Sequence, residues 1–260
     1  MTANAYESAR LLDEYLLFHY GTAEETLPYS FGPAEALFFP VRAVSETVRV
    51  EALPAPPAGL RALDVGCAVG RSSFELARHC AEVVGLDFSQ SFIRAADTLR
   101  LAGRLPYQRL DEGRLTTPLV ATVPPEIERD RVRFHVGDAC RLDVSALGQY
   151  DVVLAVNLID RLPEPTAFLD ALPALVRPGG GQLVLASPYT WLEDYTPTRN
   201  WLGGFERETD GARMTTLEAL RDRLSKHFAL VETRDLPFLI REHARKFQWS
   251  VSQASLWRRL

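Results

Sequence analysis

One stretch constrains the fold more than any other. Leu63-Asp64-Val65-Gly66-Cys67-Ala68-Val69-Gly70 runs from a short apolar segment, through an acid, into a turn with two glycines. A short apolar run ending at a glycine turn reads as a buried strand. A helix-forming run at 72–79 follows directly. Glycine permits the tight turn and lets a ligand approach the backbone. The expected unit is strand, ligand-facing turn, helix.

The same alternation continues along the chain. Strands are expected at 61–65, 82–86, 131–136, 150–157, 182–187, 228–236 and 251–258. Helices are expected at 72–79, 91–101, 166–175 and 217–227. Apolar strands alternating with helices imply an α/β fold with a mostly parallel, doubly wound sheet covered on both faces. Ligands in such sheets bind beyond the carboxyl ends of the strands, at the switch point. The loops after Val65, Leu86, Val136, Asn157 and Ser187 are therefore where a site is expected.

Two regions lie outside this alternation. Residues 1–53 read as a helical N-terminal segment on the substrate side, with Tyr6, Leu11, Leu12, Tyr15, Leu16, Phe18 and Tyr20 near a 3.6 period. The breaker Pro54-Ala55-Pro56-Pro57-Ala58-Gly59 separates it from the α/β domain at 60–260. Within that domain, 104–130 holds four prolines and is too long for a plain loop. It is expected to be a surface insertion with a small strand or helix of its own. A second insertion, 188–215, is expected on the substrate side.

Composition narrows the partners. A net charge of -5 and a pI near 5.6 do not suit a nucleic-acid backbone. No run approaches the roughly 18 apolar residues that cross a bilayer, and the first residues lack a secretory pattern, so a cytoplasmic protein is expected. Cys67, Cys80 and Cys140 match neither a disulfide framework nor a zinc spacing. No metal is expected, and the residues leave the oligomeric state open.

Further motifs follow the first loop in order. Gly85-Leu86-Asp87-Phe88-Ser89 ends the second strand. Asp87 there is placed to accept hydrogen bonds from two ribose hydroxyls, and a helix cap is the alternative for Asp87 and Ser89. Gly137-Asp138-Ala139-Cys140 ends the third strand, and Asn157-Leu158-Ile159-Asp160 the fourth. Leu175-Val176-Arg177-Pro178-Gly179-Gly180-Gly181 precedes the fifth. A dinucleotide dehydrogenase is the main rival, but the middle glycine of its G-x-G-x-x-G fingerprint is absent.

Taken together, the motifs resemble those of the class I S-adenosylmethionine-dependent methyltransferases, a Rossmann-like fold, over roughly half the chain. Ala68 departs from the pattern, standing where that class often has glycine. The resemblance implies S-adenosylmethionine as cofactor and S-adenosylhomocysteine as product. It implies Asp64, Gly66, Cys67, Ala68 and Gly70 in the first cofactor loop, and Asp87, Phe88 and Ser89 in the second. Asp138 would approach the adenine amino group and the Ala139 amide a ring nitrogen. Asn157 would complete the set.

Segments outside these motifs are similar to one family. They are Phe18-His19-Tyr20-Gly21, Asn157–Leu162, Ser187-Pro188-Tyr189-Thr190-Trp191-Leu192-Glu193-Asp194-Tyr195-Thr196-Pro197, Asn200-Trp201-Leu202-Gly203-Gly204 and Arg241-Glu242-His243-Ala244-Arg245-Lys246. They resemble the mercaptohistidine N-methyltransferases of ovothiol biosynthesis over nearly the whole chain. That activity also occurs joined to an iron-dependent sulfoxide synthase, for which this chain has no room. The resemblance implies methylation of 5-mercaptohistidine on the imidazole nitrogen nearer the side chain, giving ovothiol A.

Such a substrate needs partners for a carboxylate and an ammonium, and a flat slot for its ring. Arg241 or Arg245 are candidates for the carboxylate, and Asp160 for the ammonium or an imidazole N–H. Tyr189 and Trp191 are candidates to wall the ring, and His19 and Tyr20 to close over the cofactor. Asp160 and Tyr189 are the candidate catalytic pair, acting by orientation rather than as a strong base. Solvated surface charge is the alternative for Arg241 and Arg245, a core anchor for Trp191 and a structural role for His19. Another small acceptor, or a domain that binds without catalysis, are the competing readings.

Overall fold

The computed structural model describes residues 7–53, 59–207, 209 and 211–260. It opens with three helices: α1 (Ala9–Tyr20), α2 (Ala23–Thr26) and α3 (Phe39–Ser45). There follow β1 (Arg61–Val65), α4 (Arg71–Leu76), β2 (Glu82–Asp87), α5 (Gln90–Ala102), β3 (Arg104–Glu112), β4 (Leu115–Thr122) and β5 (Val132–Val136). Next come α6 (Val144–Leu147), β6 (Val152–Val156), α7 (Pro165–Leu175) and β7 (Gln182–Ser187). The chain ends with β8 (Phe205–Glu206), β9 (Arg213–Met214), α8 (Thr216–Leu224), β10 (Phe228–His243) and β11 (Lys246–Arg259).

Strand side chains alternate between two faces, and the alternation sorts the core. Ala62, Val83, Val152, Leu154 and Val184 face one way, onto Leu16 of α1, Val44 of α3, Phe74 of α4 and Phe92 of α5. Their neighbours Leu63, Val84, Val153 and Leu183 face the other way, onto Phe168 and Leu172 of α7 and Leu220 of α8. Both faces are thus covered, as parallel strands require.

The sheet has seven strands in the order β10-β11-β7-β6-β1-β2-β5. The pairs β1·β2, β1·β6, β2·β5 and β6·β7 are parallel, and β11 runs antiparallel to both β7 and β10. The chain winds outward from β1 to β2 and β5, then returns to β6 and β7 on the other side. The switch point therefore lies between β1 and β6.

Several expected elements differ. The N-terminal segment is a run of short helices with two side-chain-capped starts, at Ser8 and at the Thr22–Glu25 capping box. Its Leu16, Leu17 and Val44 share the main core. The insertion at 104–130 is largely the hairpin β3–β4, whose Tyr107 and Ala121 are buried against the same core. The strand expected at 228–236 continues to His243. Pro237 masks that extension in the sequence, yet β10 is an edge strand with only β11 beside it, where a missing N–H is tolerated. The strand expected at 251–258 spans Lys246–Arg259, pairing with β10 as a long hairpin. The helix expected at 72–79 ends at Leu76. Tyr6 and most of the 54–59 breaker lie outside the described residues.

Candidate functional site

The loop after β1 is bent by three residues in the left-handed backbone region: Gly66 at φ 78, Ala68 at φ 48 and Gly70 at φ 85. Only glycine adopts that region without strain. The strain at Ala68 is held by its neighbours. Gly66 N–H and Cys67 N–H both donate to the Leu86 carbonyl, at 2.7 and 2.9 Å. Ala68 N–H donates to Asp87 Oδ2 at 2.9 Å. The two loops that end β1 and β2 are thereby tied together through one carboxylate.

Asp87 also accepts Ser89 N–H at Oδ1, at 2.9 Å. Burial pushes its carboxyl up, and the backbone N–H donors oppose the shift. Each oxygen keeps a lone pair for a ligand hydroxyl. Ser89 caps α5 by accepting Phe92 N–H, and the same loop lines the cavity described below. Phe88 is 66% exposed and lies in the cavity wall, as an aromatic platform must to meet a flat ligand. Asp138, after β5, accepts Cys140 N–H at 2.9 Å, with Ala139 beside it.

Asp64 lies beneath the first loop. Its carboxyl is raised to about 7, chiefly by burial, with the Ser73 hydrogen bond opposing and Asp87 adding to the rise. Ser73 donates to Asp64 Oδ2 at 2.6 Å. Asn157 ends β6 at φ 52 and accepts the Ser252 hydroxyl at 2.6 Å.

Asp64, Gly66, Cys67, Ala68, Asp87, Phe88, Ser89, Asp138, Ala139 and Asn157 line one cavity of about 780 Å³, beyond the carboxyl ends of β1, β2, β5 and β6, whereas Gly70 shapes the first loop without lining it. Its volume falls within the range of ligand pockets. One side of its wall is largely aromatic, with Tyr15, Phe18 and His19 from α1 and Phe39 beside Pro40 from α3, and Leu158, Leu162 and Ile240 add aliphatic surface. Tyr20 seats this helix by donating its hydroxyl to the Val69 carbonyl at 2.8 Å. Ser72 Oγ donates to the Pro40 carbonyl at 3.0 Å and seats α3 likewise. His19 Nδ1 is shut off from solvent and has no hydrogen-bond partner. Burial, with help from the Arg71 charge, lowers its pKa to about 3, so the ring is neutral.

Several expected substrate residues lie elsewhere. Asp160 is fully buried, with Oδ1 taken by the Ser187 hydroxyl and Oδ2 by Thr190 N–H. Tyr189 packs behind the wall and donates its hydroxyl to Gln253 Oε1 at 3.2 Å. Trp191 is a buried anchor that donates Nε1–H to Thr216 and stacks with Trp201. Arg241 is buried and donates to the Glu25 carbonyl at 2.7 Å, with Asp111 3.6 Å away. It ties β10 to α2 and β3. Arg245 is exposed at the β10–β11 turn. None of these five lines the cavity. Besides Asp64, Asp87 and Asp138, the charged residues that line it are Arg161 and Asp194. Both sit inside the quoted segments. A charged residue just past a strand's carboxyl end was the available signal for Arg161.

Residues 63–181 match the methyltransferase domain family. That segment is a methyltransferase domain, and S-adenosylmethionine is its cofactor. A ubiquinone biosynthesis O-methyltransferase of Xanthomonas axonopodis pv. citri (strain 306) is 29% identical over 141 residues, 54% of this chain and 46% of that protein. A magnesium-protoporphyrin O-methyltransferase of Rhodobacter capsulatus is 34% identical over 116 residues, 45% of this chain and 40% of that protein. The matches thus span less than half the length of these relatives. The crystal structure of a magnesium protoporphyrin IX methyltransferase from Synechocystis PCC 6803 superposes with a TM-score of 0.50. It is 18% identical and covers 99% of this chain and 100% of that chain, a likeness of fold alone. Among the described residues, no group of three or more His, Cys, Asp or Glu is placed to hold a metal, and no helix is long and apolar enough to cross a membrane.

Proposed function

We propose that this chain methylates the side-chain-proximal imidazole nitrogen of 5-mercaptohistidine, giving ovothiol A. The observation that carries the reading is the second half of the cavity. Tyr15, Phe18 and Phe39 give it aromatic faces, and among the described residues that line it the Nδ1 of the neutral His19 is the buried polar atom without a partner. A flat heteroaromatic ring with its own N–H fits such a slot: the aromatic faces stack on it, and a single hydrogen bond selects its tautomer.

The first half of the cavity fits S-adenosylmethionine. Asp87 would hold its ribose, Phe88 with Asp138 and Ala139 its adenine, and the Gly66–Gly70 loop its methionyl end. A Cβ at Gly66 would stand 3.0 Å from Leu158 Cδ1, so the loop stays bare where a ligand must come close. When bound, the cofactor supplies a methyl on a sulfonium sulfur, which an attacking lone pair takes as a neutral thioether leaves.

The protein's part is then alignment, which is where proximity contributes most. An imidazole presents a free lone pair by tautomerism, so no strong base is required. His19, with a pKa of about 3, is too weak to remove a phenol proton, yet serves well as a neutral hydrogen-bond partner. Asp160 and Tyr189 act from behind the wall, by holding the turn after β7.

The test is incubation of the protein and S-adenosylmethionine with 5-mercaptohistidine, histidine and a phenolic acceptor. Gain of one methyl by 5-mercaptohistidine alone, on the proximal nitrogen by NMR, is the expected outcome. Transfer only to the phenol assigns an O-methyltransferase. Absence of cofactor binding in calorimetry at millimolar concentration overturns the enzymatic reading altogether.

A further inference from the structure

Two opposite charges share the cavity wall, and among the described residues neither is held in an ion pair. Arg161 lies in the short turn Ile159–Arg161 just past β6. Its guanidinium lies over the Tyr195 ring, 4.7 Å from the centroid, and its one hydrogen bond is a long 3.4 Å contact to the Thr190 carbonyl. Among the described residues, no carboxylate lies within ion-pair distance of it. Asp194, beside Tyr195 in the loop after β7, is exposed and also lines the cavity. It likewise makes no ion pair among the described residues.

Tyr195 joins the two, since it neighbours Asp194 in the chain and stacks under Arg161. Both charges come from loops after β6 and β7. The loops after β1, β2 and β5, which face the cofactor half, lie on the other side of the switch point. A guanidinium held flat on an aromatic ring keeps its planar fork of donors for two oxygens. The Asp194 carboxylate on the same cavity wall suits an ammonium. A neutral acceptor would leave both charges unmatched, and a dianion would be repelled by Asp194. A molecule carrying both charges within a few bonds of each other satisfies both.

We infer that Arg161 and Asp194 form a clamp for an α-amino acid acceptor, with Arg161 on its carboxylate and Asp194 on its ammonium. The inference rests on reading the cavity as the acceptor site beside the cofactor. It supplies the partners that Arg241, Arg245 and Asp160, all outside the cavity, do not.

The test uses Arg161→Leu, Arg161→Lys and Asp194→Asn with three acceptors: 5-mercaptohistidine, its decarboxylated amine and its deaminated acid. The wild-type protein should prefer the amino acid by about tenfold or more, the scale of a charge-assisted hydrogen bond. Arg161→Leu should raise KM for the amino acid about tenfold or more and no longer discriminate against the amine. Arg161→Lys should restore part of the loss. Asp194→Asn should lose discrimination against the deaminated acid. Cofactor affinity by calorimetry should stay within about twofold. Variant KM values equal to those of a wild-type protein that methylates 5-mercaptohistidine would overturn the clamp and leave the proposed function standing. A loss of cofactor affinity with unchanged acceptor KM would also overturn it, reassigning the pair to the methionyl end. Binding is read separately, by titrating histidine and imidazolepropionate into the protein with S-adenosylhomocysteine. A preference for histidine that Arg161→Leu abolishes supports the clamp even where transfer to 5-mercaptohistidine fails. No preference overturns it.

Discussion

Ser187 donates its hydroxyl to Asp160 Oδ1 at 2.9 Å, and this bond joins the end of β7 to the turn that follows β6. Thr190 N–H donates to Oδ2 at 3.0 Å, and Tyr189 N–H donates to the Ser187 oxygen at 3.0 Å. Tyr189 meanwhile sits at φ 54, a conformation a bulky residue keeps only where its surroundings enforce it. Asp160 is therefore a positioning residue.

Replacing Asp160 by alanine should leave a buried hydroxyl and a backbone N–H without their acceptor, at about 1–3 kcal/mol each. For a domain of this size each kcal/mol is about 2–4 °C in Tm. Scanning calorimetry of D160A should show a fall of several degrees, with kcat/KM reduced through the displaced turn. Y189F removes only the Gln253 bond and should cost about 1 kcal/mol or less. An unaltered Tm in D160A would mean the carboxylate holds nothing.

How far the residues announced this arrangement depends on what kind of signal each carried. The parallel core was plain from runs such as Val152–Val156, because a strand buried on both faces must be apolar throughout. The cavity-lining turns after β1, β2 and β5 were legible because glycine and acid stand at fixed places after such strands. The hairpin at 104–122 was hidden by Pro106 and Pro118, and the length of β10 by Pro237, since proline in an edge or two-stranded ribbon looks like a breaker. The acceptor wall was harder. Phe18 and Tyr15 have the spacing of helix packing, and only the docking of α1 through Tyr20 and Val69 turns them toward the cavity. Arg241 carried the right chemistry, but its place in the fold depends on Glu25 and Asp111, far away in the chain. Local pattern holds no such information.

Gly70→Ala tests the backbone of the first loop. The added Cβ would stand 2.5 Å from Phe134 Cζ, and φ is 85 there. The ring is part of the packed core and cannot swing clear, so steric clash and backbone strain add. The variant should lose about 2–4 kcal/mol in denaturant unfolding and bind S-adenosylmethionine more weakly. Wild-type stability in this variant would show that the loop adapts freely.

His19 should leave a signature in acid stability. Its pKa is about 3 when folded and near 6.5 when unfolded. Between these values the unfolded chain binds a proton that the folded chain refuses. The folded state therefore loses stability as pH falls through that window, by up to about 1.4 kcal/mol per pH unit. His19→Phe removes the group from both states. Urea unfolding of wild type and H19F at pH 7.5 and 5 should show the smaller loss in H19F. H19F should also raise KM for the acceptor without altering cofactor affinity. Equal pH losses in the two proteins would mean that His19 is solvated.

Asp64 carries the opposite sign and bears on the cofactor directly. Its carboxyl, raised to about 7 by burial, holds a proton across a range where an ordinary carboxyl has none. Between the ordinary value and about 7 the folded chain binds the extra proton, so this group's contribution to stability falls as pH rises through that window. S-adenosylmethionine brings a sulfonium and an ammonium beside the first loop, and cationic charge favours the ionised carboxylate. Below pH 7 binding must expel the proton, so affinity should weaken toward tenfold per pH unit, and above about 8 it should level off. Calorimetry in two buffers of different ionisation enthalpy should find close to one proton released per cofactor at pH 6 and almost none at pH 8.5. Asp64→Asn has no proton to release there. Its affinity should be weaker at pH 8.5 and nearly constant with pH. A proton count that is the same in the variant would place the titration on another group, with Asp87 the next to test, since its carboxyl is also raised by burial.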